Sequence, residues 1–146
     1  MPSAPDTFRC ATIRSIDLEA PVDRVYRLWA RYEDLPRILE SVRRTQCITQ
    51  TRVLWDVDLA ARQVVWEARI VEQIPDKLVR WESTWGARNA GLVRFEALGE
   101  RSTRLTVEIR YEPRSLVERL GARLGLVDRH VRRDLARFRA FVEHGG

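Results

Sequence analysis

The sequence predicts an α+β grip, in which a curved antiparallel sheet of about seven strands wraps around one long C-terminal helix. Three observations predict it. Between Val53 and Tyr111 apolar and charged residues alternate, in runs such as Val64-Val65-Trp66-Glu67-Ala68-Arg69-Ile70 and Leu105-Thr106-Val107-Glu108-Ile109-Arg110-Tyr111. A period of two marks strands with one apolar and one solvated face. The connections between these runs are short, so neighbouring strands must pair antiparallel. From Arg114 to His144 the spacing becomes helical, with Leu116, Leu120, Leu124, Val127, Val131, Leu135, Phe138 and Val142 on one stripe. That stripe is the only cover available for the apolar face of the sheet, which must therefore curl around it.

The elements follow in order. Residues 8–19 form a first strand, with Ile16 and Leu18 on one side, and Ala20-Pro21 stops it. Pro21 suits the start of a helix, and Val22, Val25, Tyr26, Leu28 and Trp29 repeat at helical spacing up to Tyr32. Residues 33–40 read as a second short helix, broken near Pro36. Strands are expected at 42–50, 52–60, 63–74, 77–85, 91–98 and 103–112. Hairpin turns fall at Ala60-Ala61-Arg62, Pro75-Asp76 and Gly99-Glu100-Arg101-Ser102, and a longer loop runs from Gly86 to Gly91. Gly121 and Gly125 weaken the final helix near its start and predict a bend or break before Asp128.

At 146 residues, with no internal repeat or low-complexity stretch, the chain is expected to be a single domain over 1–146. A composition 45% hydrophobic and 32% charged excludes general disorder. No apolar run approaches ~18 residues and residues 1–6 have no apolar signal core, so a soluble, cytoplasmic protein is expected. Cys10 and Cys47 lack metal-ligand spacing. Cys10 is expected at an exposed edge and Cys47 as a buried small hydrophobe, without a disulfide. No metal or cofactor is expected. The net charge is +5 and the pI near 10.0, with Lys77 the sole lysine. Such a charge suits anionic lipid or nucleic acid. Because the aromatics fall on the expected inner face rather than among surface arginines, base stacking and nucleic-acid binding are not expected.

Several segments carry a resemblance. Ser15-Ile16-Asp17-Leu18-Glu19-Ala20-Pro21-Val22-Asp23-Arg24-Val25-Tyr26-Arg27-Leu28-Trp29 resembles the opening of the polyketide cyclase/dehydrase and coenzyme Q-binding proteins of the START/Bet v 1-like (SRPBCC) superfamily. Tyr32-Glu33-Asp34-Leu35-Pro36, Ile74-Pro75-Asp76, Trp81-Glu82-Ser83-Thr84 and Gly86-Ala87-Arg88-Asn89-Ala90-Gly91-Leu92-Val93-Arg94-Phe95 are similar to further parts of that family. The resemblance covers nearly the whole chain and implies the helix-grip fold. It also implies a cavity between the concave sheet and the C-terminal helix, with a mouth near Ala61-Arg62, Gly86 to Gly91 and Glu112 to Ser115.

Hairpin parity about Pro75-Asp76 sets Trp66 opposite Trp85, Ala68 opposite Ser83 and Ile70 opposite Trp81, all on the face of Val79. Glu67, Arg69, Arg80 and Glu82 then point outward. The expected lining is Val53, Trp55, Val57, Trp66, Ala68, Ile70, Trp81, Ser83, Trp85, Val93, Phe95, Val107, Ile109 and Tyr111. Ligand contacts are expected from Trp55, Trp66, Ala68, Ile70, Trp81, Ser83, Trp85, Phe95, Ile109 and Tyr111, with Arg88 and Asn89 at the mouth. Trp85, beside Gly86, is the foremost candidate at the mouth, and Arg62 and Arg114 could add to a basic rim.

Acid–base chemistry finds few candidates. Ser83 and Tyr111 face the expected cavity, with Thr45, Cys47 and Glu72 as further possibilities. Arg88 could stabilise an enolate. His130 is expected on the helix surface and His144 in the tail, neither paired with a carboxylate. In aromatase members an arginine precedes the Pro-Asp turn; here those positions are Glu72, Gln73 and Ile74, a departure from that pattern.

The leading expectation is a carrier or chaperone that binds a lipid, prenyl quinone or polyketide-like aromatic in the cavity. The alternatives are a polyketide aromatase/cyclase or dehydrase, and an interaction module whose cavity is filled by its own side chains. Both ligand readings call for a pocket of several hundred Å³, on the scale of ligand sites generally. Arg119, Arg123, Arg132, Arg133 and Arg139 on the outer helix face are candidates for contact with an anionic membrane, and a polyketide synthase is a further possible partner.

Overall fold

The computed structural model describes residues 8–59, 62–112 and 125–145. Among the described residues seven strands form one antiparallel sheet: β1 (Cys10–Leu18), β2 (Val42–Cys47), β3 (Arg52–Leu59), β4 (Arg62–Ile74), β5 (Leu78–Gly86), β6 (Asn89–Gly99) and β7 (Ser102–Tyr111). Their spatial order is β1-β7-β6-β5-β4-β3-β2, so every consecutive pair from β2 to β7 is a hairpin neighbour and β1 closes on β7. Between β1 and β2 lie helix α1 (Val22–Ala30), a 3-10 turn at Tyr32–Asp34 and the single-turn helix α2 (Leu35–Ile38). Helix α3 (Gly125–Ala140) continues into a wider π turn at Phe141–Gly145.

Pro21 stands at the N-cap of α1 in extended conformation, and its carbonyl accepts the amide of Val25. Pro36 lies in the first positions of α2 rather than breaking it, because a proline there removes a donor that has no helical partner. The core is continuous. Leu18, Val25, Leu35, Val93, Leu105 and Phe138 are buried within it, and Trp29 meets Phe138 edge-on at 5.4 Å. On α3 the stripe Val127, Val131, Leu135 and Phe138 is buried against the sheet. The helix runs without interruption from Gly125 through Asp128. Residues 113–124, with Arg114, Leu116, Arg119, Leu120, Gly121, Arg123 and Leu124, lie outside the described residues.

Asp128 fastens α3 to β1. Its carboxylate accepts Arg14 Nε and Nη2, both at 2.7 Å, and the Thr12 hydroxyl at 2.5 Å. These bonds hold the carboxyl well below the usual carboxylate range.

Several expected boundaries shift. β2 ends at Cys47 rather than residue 50, because the turn at Thr49–Thr51 begins there. Cys47 is exposed on this sheet-edge strand and Cys10 is half-buried, the reverse of their expected settings. β5 runs through Gly86 and β6 begins at Asn89, so the expected loop shrinks to Ala87-Arg88. Gly86 allows that tight connection. Its φ of 81° is left-handed, and a Cβ there would come within 2.3 Å of the Val65 carbonyl.

Two bulges bend the β4–β5 hairpin. Glu67 pairs with Trp85 while Ala68 pairs with Ser83, leaving Thr84 extra on β5; Ile70 pairs with Trp81 while Glu72 pairs with Arg80, leaving Val71 extra on β4. Bulges of this kind sharpen twist and reset which face the next side chain takes. Next to them, Trp81 lies across Gly91 of β6, where a Cβ would sit 2.2 Å from the indole and 2.7 Å from the Glu108 carbonyl.

Two predictions follow from this packing. Gly91→Ala pushes against both an indole and a backbone, and is expected to cost about 2–3 kcal/mol in urea denaturation, with altered tryptophan emission. Asp128 is depressed in the fold, so its contribution is present above its unfolded pKa near 3.8 and is lost as the pH falls below that value. Asp128→Asn should therefore lower stability at pH 7 and give a flatter melting-temperature profile between pH 4 and 2.

Candidate functional site

The concave face of the sheet and the buried face of α3 line a partly open cavity of about 150 Å³. β3, β4 and β5 supply Trp55, Trp66 and Trp81, with Ala68 and Ile70 between them along β4; Tyr32 and Trp29 come from the helical segment, and Val127, Val131 and Leu135 from α3. The aromatics are ordered by the ladder. Trp55 and Trp66 are register partners, and their rings stack at 6.1 Å with only 8° between planes. Tyr32 meets Trp55 edge-on at 6.3 Å. Within this cluster Tyr32 Oη and Trp66 Nε1 are buried with no hydrogen-bond partner among the described residues. Burial also drives the Tyr32 hydroxyl pKa far upward.

Of the residues expected to contact a ligand, Trp55, Trp66, Ala68, Ile70, Trp81, Asn89 and Ile109 are on the cavity wall. Asn89 is there as a strand residue, 3% exposed, and not as a loop tip. Its side-chain oxygen accepts the Trp81 indole N–H at 2.9 Å, its amide N–H donates to Ser83 Oγ at 3.0 Å, and its side-chain nitrogen donates to the Ala87 carbonyl. Asn89 thus fixes the Trp81 ring from behind, and Ser83 is committed to that network instead of to the wall.

The remaining expected contacts lie elsewhere. Trp85 is 63% exposed on the outer side, because the bulge at Thr84 places it opposite Glu67 and sets Trp66 opposite Gly86. Phe95 is buried in the core against Tyr26, with ring centres 5.3 Å apart. Val93 and Tyr111 are likewise buried in packing, and burial raises the Tyr111 hydroxyl to about 12. Arg88 is exposed, with its guanidinium 4.9 Å from the centre of the Phe8 ring. Thr45 is buried but donates to the Tyr32 carbonyl, and Glu72 faces outward to Arg80 at 3.1 Å because of the second bulge. Arg62 is exposed; Ala61, Arg114 and Ser115 lie outside the described residues.

The sequence reading missed the polar end of the cavity. His130, expected on the surface, is half-buried on the wall with Ser41 and Asp134. The Ser41 hydroxyl lies 2.6 Å from His130 Nδ1, and the Ser41 amide donates to Asp134 Oδ1 at 3.0 Å. Burial raises the Asp134 carboxyl, against the opposing pull of the Ser41 hydrogen bonds. Burial also lowers His130, helped by the Arg133 charge, which favours a neutral imidazole. A neutral imidazole, a hydroxyl and a half-buried carboxyl on one wall can relay or hold a proton. The available signal was the i, i+4 spacing of His130 and Asp134, which shares a face with Val127, Val131 and Leu135. Ser41 sits between α2 and β2, a partner no local pattern indicates. Among the described residues no three His, Cys, Asp or Glu side chains are grouped as a metal site would need.

A curled antiparallel sheet closed over an apolar cavity by one long helix is the START-like helix-grip architecture. The fold of the ZhuI aromatase/cyclase from Streptomyces sp. R1128 superposes with a TM-score of 0.77, at 18% identity over 93% of this chain and 97% of that one. A START superfamily protein from Mycobacterium smegmatis gives 0.71, at 13% identity over 86% and 93% of the two chains. An uncharacterized 17.2 kDa protein of Streptomyces lincolnensis, from the melC2-rnhH intergenic region, is 34% identical over 133 residues, spanning 90% of this chain and 89% of its own. The chain belongs to the polyketide cyclase / dehydrase and lipid transport family, whose sequence profile matches residues 18–139.

His130 and Asp134 should be separable by titration. The His130 pKa is depressed in the fold, so its contribution is full above the unfolded value of about 6.5 and is lost as the pH falls below it. Asp134 has the opposite sign, being raised: its contribution is present below 3.8 and lost as the pH rises through its folded pKa. Urea denaturation from pH 4 to 8 should therefore show less acid destabilisation in His130→Gln. Asp134→Asn should gain stability towards pH 8, relative to wild type.

Proposed function

We propose that the protein binds a hydrophobic, ring-containing small molecule in the cavity between sheet and α3, as a carrier or chaperone. The observation that carries this reading is the cavity itself, walled by stacked and edge-on aromatics and kept open by Ala68 and Gly91. Its size narrows the ligand. About 150 Å³ is smaller than the several hundred expected from sequence, because three indoles and the α3 side chains occupy part of the space. An engineered apolar cavity of about 150 Å³ in another protein admits benzene. The part of the ligand held here is accordingly of one- to two-ring size. The ligand should also carry oxygen. Tyr32 Oη and Trp66 Nε1 lack acceptors among the described residues, and a carbonyl or ring oxygen reaching them would relieve a cost that a hydrocarbon leaves in place.

A second reading is favoured by one observation, the Ser41–His130–Asp134 group. In a polyketide cyclase or dehydrase, a poly-β-ketone held against this wall would find His130 placed to take or return a proton, with orientation supplied by the aromatic walls. Contact with an anionic membrane or a polyketide synthase would use the outer face of α3. There, among the described residues, Arg132 is paired with Asp128 and Arg139 with Glu143, while Arg133 is exposed and forms no ion pair.

Titration of naphthalene followed by tryptophan fluorescence tests the carrier reading. Binding is expected in the wild type, and Ala68→Phe, which fills the space between the indoles, should weaken it about tenfold or more. Incubation with a poly-β-ketone tests the second reading. Turnover that falls by about 10²-fold in His130→Ala would support it, whereas a tightly bound and unchanged ligand would support the carrier.

A further inference from the structure

Ser41 and His130 have two sides. Inward they complete the apolar cavity; outward they form the floor of a separate recess of about 410 Å³ between α3 and the ends of α2 and β3. Ser41 and His130 thus line both spaces, and between them runs the 2.6 Å hydrogen bond of the Ser41 hydroxyl and His130 Nδ1. The recess has the opposite chemistry to the cavity, with Glu40, Asp58, Arg129 and Arg133 around its rim. Its two carboxylates already have counter-ions. Glu40 faces Arg137 at 3.8 Å, and Asp58 faces Arg43 at 3.3 Å. Arg129 and Arg133, one helical turn apart on either side of His130, form no ion pair among the described residues.

We propose that the recess seats a carboxylate borne by the cavity ligand. The ring body lies among the indoles, a short connecting chain passes the Ser41–His130 contact, and Arg129 and Arg133 hold the anion. The inference rests on the cavity-binding reading and adds the ligand's class: an amphiphilic aryl-alkyl acid rather than a neutral hydrocarbon. Two adjacent guanidinium groups suit this role, since they bind carboxylate through charge-assisted hydrogen bonds and remain charged at every relevant pH.

The test compares 4-(1-naphthyl)butanoate with 4-(1-naphthyl)butan-1-ol by calorimetry on the full chain. At low salt the acid should bind about tenfold more tightly than the alcohol, an advantage that shrinks as salt is raised. Arg129→Gln/Arg133→Gln should bring the acid to the level of the alcohol while moving the alcohol by less than about twofold. Arg132→Gln/Arg139→Gln removes the same net charge outside the recess and should retain the preference. Equal binding of acid and alcohol by wild type, or a preference that survives the first double variant, overturns the proposal. So does a preference lost equally in both double variants, which would reflect net charge alone. The alcohol reads the cavity separately. If it binds and Ala68→Phe abolishes that binding while the acid gains nothing, the carboxylate site fails and the cavity stands. If neither compound binds, the cavity reading fails and this inference with it.

Discussion

The β4–β5 hairpin must curl enough to face inward-pointing indoles towards one helix, and the two bulges at Thr84 and Val71 meet that demand. Each puts one extra residue into one strand only, which bends the ladder and breaks its strict alternation. Between them Ala68, Ile70, Ser83 and Trp81 keep regular register. Outside them the faces are reset, so Trp85 and Glu72 turn to solvent. A straight hairpin would have carried Trp85 inward beside Trp66, with little space left between β4 and α3.

The cavity that results is held open by small residues among large ones. Trp81 can lie flat only because Gly91 has no side chain, and Asn89 fixes that indole through its N–H. Ala68, between Trp66 and Ile70 on the inner side, leaves room where a larger residue would close it. The Asp128 contacts to Arg14 and Thr12 then position α3 as the lid, fixing how deeply Val127, Val131 and Leu135 enter. Cavity volume is a difference between these terms, which explains why it is modest despite the many large side chains around it.

Family membership and the cavity agree on a hydrophobic small-molecule ligand, and the wall chemistry refines that statement. A purely apolar wall would suit a passive carrier. The polar end, where Ser41 bridges His130 and Asp134, supplies proton-exchanging groups grouped at one place on the wall. The same residues also line a recess of opposite character, which the proposed carboxylate end of the ligand would use. A ligand with an apolar body and one polar end matches that arrangement better than a uniformly greasy one.

The strand alternation, the short turns and the helical stripe made the architecture legible from sequence, because period and turn chemistry are local properties that survive folding. Parity likewise identified Trp55, Trp66, Ala68, Ile70, Trp81 and Ile109 as inward-facing. Where the reading departed from the structure, the cause was non-local. A bulge shifts register without any marker in the residues around it, so parity set Trp85 inward like Trp81. Phe95 and Tyr111 face inward by parity, but whether an inward residue meets a cavity or another side chain depends on what packs opposite. His130 was misplaced because its partner Ser41 is 89 residues away in sequence. Local pattern thus determined which faces are apolar and in what order the elements run. Only the tertiary structure, by bringing α3 onto the curled sheet, decided where space remains and which polar groups border it.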